Sequence, residues 1–265
     1  LGHEVGICDR DDLRAHQSPY RAFEAIDMGI AWADQVVVST STSSHSEILQ
    51  MVGDKRVLVE KPLGVSVADV AFLADSAPIS VAYNWRCHPH IQQIRQYDLK
   101  PRAASFMIYC DKSSWPGEEY GDMLLEASHE IDLALWILGP ATVVSAESPH
   151  PDEWYLHLHH RETGTDSAIE LNGRSKSYAR GIAFCRTSRA NPNILWDAGY
   201  AANGWTSRIS IDRTHLKAQA TPDQMYRETM RRFLLSGESL CTLSEGRAVL
   251  GICDDARRLA NCRGL

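Results

Sequence analysis

Three short stretches bring together residue types that can handle a proton or hold a polar ligand. In residues 58–64 (LVEKPLG) an apolar run ends in Glu60, Lys61 and Pro62. Proline fixes its own φ and biases the residue before it to an extended backbone, so Lys61 is presented stiffly at a strand end. An ammonium held this way can bind a substrate hydroxyl and, with a lowered pKa, assist proton transfer; a salt bridge beside a turn is the plainer reading. In residues 124–139 (LLEASHEIDLALWILG), Glu126, His129 and Asp132 recur at every third position of an otherwise apolar helix, which places them on one face. Two flanking carboxylates would orient the imidazole and raise its proton affinity. That suits a general base for an alcohol; a satisfied interfacial histidine is the alternative. Finally, residues 4–8 read as a strand running into Asp9 and Arg10. An acid at such a tip can accept from a ribose 2′-hydroxyl, and a cation can receive a 2′-phosphate, although aspartate after a strand is also ordinary turn chemistry.

Weaker constellations compete with these. His157, His159 and His160 cluster in EWYLHLHH (153–160). On a strand, His157 and His159 share a face and could hold zinc, but no third ligand stands at a sensible spacing, so no metal is expected. Trp115 with Pro116 and Gly117, and Trp196 and Trp205, can stack on a sugar ring or serve as structural plugs.

The elements that must position these residues follow from periodicity. Residues 20–33 carry Tyr20, Phe23, Ile26 and Ile30 at roughly helical spacing. Residues 35–40 and 56–62 are β-branched runs of the kind buried on both faces of a parallel sheet. Residues 43–52 and 66–76 read as helices and 78–84 as a further strand. This β-α-β-α-β alternation predicts a Rossmann-type, doubly wound parallel sheet over residues 1–84. Residues 85–265 change rhythm: helices at 88–97, 122–138, 224–237 and 245–260, and strands at 105–110, 142–148, 153–160, 167–173 and 179–186. They predict an α+β domain with a mostly antiparallel, open-faced sheet. Its last helices can pack back on the first domain, and residues 187–208 read as a long loop. The glycine loop GxGxxG that should precede the strand at 4–8 is not in the sequence. The chain opens within a structural pattern at Leu1, so the first strand and its loop are expected upstream.

Charge and cysteine usage narrow the function. The 265 residues carry 27 basic and 34 acidic side chains, a net charge of −7 with no basic stripe, so nucleic acid is not the expected partner. No apolar run of about 18 residues exists, so no membrane span is expected. The seven cysteines form no CxxC pair, which points to reduced thiols and a cytoplasmic protein.

Taken in order, the motifs resemble those of the Gfo/Idh/MocA oxidoreductases. VVVSTSTSSHSEI (36–48) is similar to the family's T-P-x-x-x-H loop, with Ser41 in the usual proline position. VLVEKPLG (57–64) matches its E-K-P motif. SHEIDLALWILG (128–139) resembles its H-x-x-D…W-x-x-G helix, and AYNWRCHP (82–89) a G-Y-x-x-R-F-H-P segment. The resemblance covers essentially the whole chain and is weakest from about 150 to 220.

It implies an NAD- or NADP-dependent enzyme of sugars, nucleotide sugars or polyols. Lys61 would sit beside the nicotinamide, with a cis peptide before Pro62. His129 would be the acid/base, and Asp132 would support it or bind substrate. Thr40, Ser41, Thr42 and His45 would line the cofactor with Glu60 nearby, and Arg86 would stand near the domain junction, within reach of cofactor or substrate. Relatives commonly form dimers or tetramers through the open sheet face. The chain departs from the usual pattern in carrying Leu125 where many members have Asp; its acid is Glu126, three residues before the histidine, which leaves Lys61 as a rival base. A ligand-sensing relative, and a hydrolase or lyase that recycles bound NAD, are the competing functions.

Overall fold

The computed structural model describes residues 2–97, 100–114, 122–185, 193–201, 204–212, 214–218 and 221–262. Trp115, Pro116, Gly117 and residues 187–192 lie outside them. The fold is α/β: a parallel, Rossmann-type part followed by a larger, mostly antiparallel sheet with helices on one face.

Strand β1 (Gly6–Ile7) pairs in parallel with β2 (Arg21–Ala22) across helix α1 (Asp12–Gln17). The Asp11 carboxylate caps α1 by accepting from the amides of Leu13 and Arg14. The helix expected over 20–33 begins only at Ile26, as α2 (Ile26–Trp32). The reason is local: the amides of Arg21 and Phe23 donate to the carbonyls of Val5 and Ile7, so strand pairing takes the backbone bonds a helix would need. Phe23 then turns inward against Trp32, with ring centroids 5.3 Å apart.

Next come β3 (Gln35–Val38), α3 (Thr42–Met51), β4 (Arg56–Val59) and β5 (Ile79–Val81), with parallel order β3-β4-β5. The parallel strands therefore form two sheets. Between them runs a groove of about 150 Å³ lined by Gly6, Ile7, Phe23, Val36 and Val38. The expected helix over 66–76 is reduced to one short turn, Ala68–Val70. The Leu73 carbonyl accepts from the Arg247 guanidinium, and the Val70 carbonyl is shared between Arg247 and the Leu73 amide, a tight i+3 bond in place of an α-helical one.

A tight turn over Asn84–Cys87 leads into α4 (Pro89–Arg95), which has His88 as N-cap and proline in the first turn. Strand β6 (Ala103–Asp111) is followed by α5 (Met123–Glu126), α6 (Ser128–Leu138), β7 (Ala141–His150), β8 (Glu153–His160), β9 (Thr165–Asn172), β10 (Arg174–Cys185), β11 (Ile194–Ala201), β12 (Gly204–Ile211) and β13 (Thr214–Ala218). The eight strands run in the order β13-β12-β11-β10-β6-β9-β8-β7, and only β6 and β9 pair in parallel.

The long loop expected over 187–208 is corrected by β11 and β12. Ile194, Trp196 and Ala198 are buried while Leu195 is exposed, a period-two alternation obscured by the Asn, Asp and Gly content. At Gly199 a Cβ would fall 2.8 Å from the Tyr178 carbonyl oxygen, so glycine keeps the β10–β11 pairing close.

Helix α6 is buried on nearly every side, as expected of a helix sandwiched between layers. Helices α7 (Pro222–Arg231) and α8 (Leu243–Cys262) complete the chain. The amide of Val81 donates to the Cys241 carbonyl at 2.8 Å, and Gly246 lets α8 press onto Val81. One continuous hydrophobic cluster joins both parts, from Val57 and Val59 through Ile91 and Ile131 to Phe106, Leu156 and Ile169. Among the described residues no helix is long and apolar enough to cross a membrane.

Candidate active site

Strand β4 is buried on both faces and delivers Glu60 and Lys61 at its carboxyl end, where ligands of open α/β sheets bind. The Lys61–Pro62 peptide is cis. The Lys61 ammonium donates to the Glu126 carbonyl at 2.8 Å and lies 3.2 Å from its carboxylate, with about 20% of the side chain exposed. That contact also explains why one expected helix over 122–138 is two. The Glu126 carbonyl is taken by Lys61, so the Glu130 amide bonds Ala127 instead, and the axis breaks there. Burial raises the pKa of Glu60, against the opposing influence of the Lys61 amide and ammonium.

The carboxylate–histidine–carboxylate face is not realised as expected. Glu126 turns to Lys61, and Asp132 turns to Arg86, whose guanidinium donates to it in bidentate fashion at 2.6 and 3.0 Å. His129 keeps neither acid. Burial, then the charges of Arg180 and Lys61, lower its pKa well below 6.5, a correction to the raised proton affinity anticipated from spacing. Its Nδ1 is buried without a partner, and the ring stands edge-on to Tyr83 at 5.5 Å.

Asp132 is fully buried, and its pKa is pushed up to about 6 by burial against the pull of Arg86. Arg86 is likewise consumed within the structure. It donates to Asp132, to the Leu240 carbonyl at 3.0 Å and to Glu245 at 2.8 Å. It borders a surface groove of about 700 Å³ beside Trp136 and Arg95.

Several residues near Lys61 and His129 were not anticipated. Arg180, from β10, reaches Glu130 at 3.0 Å, and its Nε donates to the Tyr178 hydroxyl at 2.8 Å. Its charge bears on His129, and Lys61 bears on both His129 and Glu130. Tyr226 of α7 lies against Asn84 and close to Glu60 and Arg180. Tyr178, Tyr200 and Trp205 form an aromatic cluster, with centroids 5.1–5.9 Å apart. Trp196, by contrast, is buried and donates to Ser207, a structural role.

The expected cofactor residues divide. Asp9, Arg10, Thr40 and Ser41 line one cavity of about 780 Å³ with Glu47 at the carboxyl ends of β1 and β3. Thr42 opens α3 beside it. His45 is turned inward, a correction: its ring nitrogens lie 3.0 Å from the Pro62 carbonyl and 3.1 Å from the Thr40 carbonyl, tying α3 to the cis-proline turn. On the outer face of the large sheet, His157 and His159 both approach Asp166. Among the described residues no group of three His, Cys, Asp or Glu side chains is arranged to hold a metal ion.

Five buried histidines, His45, His88, His90, His129 and His160, have lowered pKa values, burial being the first cause in each. The unfolded chain therefore binds their protons first, so their stabilisation is present above about pH 6.5 and lost as the pH falls below it. Asp132 and Glu130, raised to about 6 and about 7, act oppositely and gain stability as they protonate. The histidines outnumber them. The expected result is a melting temperature that falls between about pH 6.5 and 4.5, with each histidine contributing up to about 1.4 kcal/mol per pH unit. Scanning fluorimetry across that range measures it, and a flat profile would contradict the assignment.

No family model matches the chain, and no curated protein matches it by sequence. Solved structures do. The UDP-N-acetylglucosamine 3-dehydrogenase GnnA from Acidithiobacillus ferrooxidans superposes with a TM-score of 0.78 at 19% identity, over 97% of this chain and 90% of that one. The WlbA (WbpB) dehydrogenase from Thermus thermophilus, in complex with NAD and UDP-GlcNAcA, gives 0.65 at 16% identity, over 98% and 86%. A 3-ketoreductase from Actinomadura kijaniata, in complex with TDP-benzene and NADP, gives 0.68 at 15% identity, over 95% and 87%. At these identities the likeness establishes the fold: a Rossmann-type part joined to an open-faced sheet, as found in these dehydrogenases and reductases.

Proposed function

We propose that this protein is an oxidoreductase that moves a hydride between NAD or NADP and a carbinol or ketone of a sugar, nucleotide sugar or polyol. The observation that carries the reading is Lys61, braced by Glu126 at the carboxyl end of β4, with the buried, unpartnered Nδ1 of His129 in a ring that feels the Lys61 charge. The cavity holding Asp9, Arg10, Thr40 and Ser41 lies at the carboxyl ends of neighbouring parallel strands. The neighbours in complex with NAD and NADP support the cofactor class.

The residues present fit such a cofactor. Asp9 uses one carboxylate oxygen on the Asp11 amide, and its other oxygen suits a ribose hydroxyl, with Arg10 adjacent for a 2′-phosphate. The bound nicotinamide would supply the hydride chemistry. The Lys61 ammonium donates to the reacting oxygen and stabilises it as negative charge develops. His129, neutral, receives the hydroxyl proton at Nδ1; flanked by two cations, it releases that proton readily.

The free thiols Cys87, Cys110, Cys185, Cys241 and Cys253 accord with a reducing, cytoplasmic setting. Exposed Val144, Tyr155 and Leu195 on the large sheet accord with a homodimer or tetramer through that face.

Titration with NADH and NADPH, read by nicotinamide fluorescence, tests the reading. One of them is expected to bind saturably, and Asp9→Ala to weaken it by about tenfold. Failure of both cofactors to bind would sink it.

A further inference from the structure

Arg180 touches no reacting atom in the steps above and bears on them only through its charge on His129, yet its setting is that of a ligand-binding group. It enters the interior from an inward register of β10, opposite Ile108 of β6 and Ala198 of β11. Its guanidinium lies 4.5 Å over the Trp85 ring, which fixes its plane. Tyr178 accepts from Nε, and Glu130 stands 3.0 Å from Nη1.

The side chain is only 6% exposed, yet Nη1 has no aligned hydrogen-bond partner, and neither has Oε2 of Glu130. Asn84 Oδ1 and His129 Nδ1 are buried and unpartnered as well. All four belong to residues linked by charge or hydrogen bonding around Lys61 and Arg180. Buried polar atoms are nearly always satisfied, so four left open in one place mark where a polar ligand completes the site. A flat, immobilised guanidinium whose Nη1 lacks an aligned acceptor is shaped for a carboxylate.

We infer that Arg180 anchors a carboxylate of the substrate, beside the carbinol that Lys61 and His129 address. The substrate class then narrows to sugar acids and their nucleotide derivatives; this rests on the oxidoreductase reading above. Glu130 is the counter-group. Arg180, Lys61, Asp132, Tyr178 and Cys110 are the charged and titratable groups around it. Burial pushes its carboxyl up to about 7. A carboxylate arriving at Arg180 favours the protonated form of Glu130, so binding takes up a proton and strengthens as the pH falls through that value.

Isothermal titration of UDP-glucuronate and UDP-glucose into the protein saturated with its nicotinamide cofactor tests this. The uronate is expected to bind at least about tenfold more tightly. Its affinity should rise between about pH 8 and 6 while that of UDP-glucose stays flat. Arg180→Met is expected to erase the preference. Glu130→Gln, which keeps Arg180 in place, should retain the preference and lose its pH dependence. Equal affinities, a preference that survives Arg180→Met, a pH dependence that survives Glu130→Gln, or binding of neither sugar would each overturn the anchoring role. Cofactor binding is recorded before any sugar is added, so failure of the oxidoreductase reading registers separately.

Discussion

Lys61→Met is expected to leave a folded protein that binds nicotinamide nucleotide but turns over about 10²- to 10⁴-fold more slowly. The side chain is partly exposed and reaches the cleft by way of Glu126, so its loss removes little packing. What disappears is the ammonium at the carboxyl end of β4, and with it the stabilisation of charge on the reacting oxygen. The expected signature is a fall in kcat with cofactor affinity nearly unchanged. A fall in cofactor affinity alone would show that Lys61 serves binding and not chemistry. A structural side effect can be checked in parallel. Without Lys61, the Glu126 carbonyl is free to accept from the Glu130 amide, and the break at Ala127 can close. Lys61→Arg restores a donor to that carbonyl, and circular dichroism of the two variants separates the effects.

Asp132→Ala is expected to destabilise the fold by about 3–5 kcal/mol, the cost of leaving a buried guanidinium without its main partner. Arg86 and Asp132 are both essentially buried and joined by a bidentate contact; beyond the neutral Leu240 carbonyl, the other partner of the guanidinium is Glu245, which is 41% exposed. The control is the pair Arg227–Asp223 on α7, whose side chains are 79% and 68% exposed. Its removal should cost no more than about 0.5 kcal/mol, because solvent screens it. Arg86→Met combined with Asp132→Leu should recover most of the lost stability, since an apolar pair avoids the desolvation cost altogether. Chemical denaturation with matched slopes measures all three. A loss below about 1 kcal/mol for Asp132→Ala would mean that Arg86 relaxes to other partners.

Much of the architecture was legible because it rests on local pattern. The apolar runs of β3 and β4, the period of α3 and the punctuation by Pro62 all follow from residue type and spacing. The sequence misled where a distant group took over a local bond. Tyr20 and Phe23 have helical spacing, but Val5 and Ile7 claim the neighbouring amides for a strand. The helix carrying His129 breaks because a lysine 65 positions earlier takes one carbonyl.

The site shows the same division. Lys61 contacts Glu126 and its charge bears on His129, while Asp9, Thr40 and Ser41 line one cavity. A motif cannot say which way a side chain turns: His45, read as lining the cofactor, lies against the Pro62 and Thr40 carbonyls, and Asp132, read as supporting His129 or binding substrate, is held by Arg86. Arg180 did leave a trace. In ARGIAFCR, the alternation of Arg180 with Ile182 and Phe184 puts a cation on the inward face of a strand, where burial demands a partner.

The continuous hydrophobic cluster has a thermodynamic consequence. Val57 and Val59 of the parallel sheet belong to the same packed body as Phe106 and Ile169 of the large sheet, with α6 between them and α8 folded back across β5. Neither part can open without exposing the other's interior, so calorimetry should show a single endotherm whose van't Hoff and calorimetric enthalpies agree. A nucleotide gripped by one sheet would then raise the melting point of the entire chain, by an amount set only by its concentration relative to its Kd.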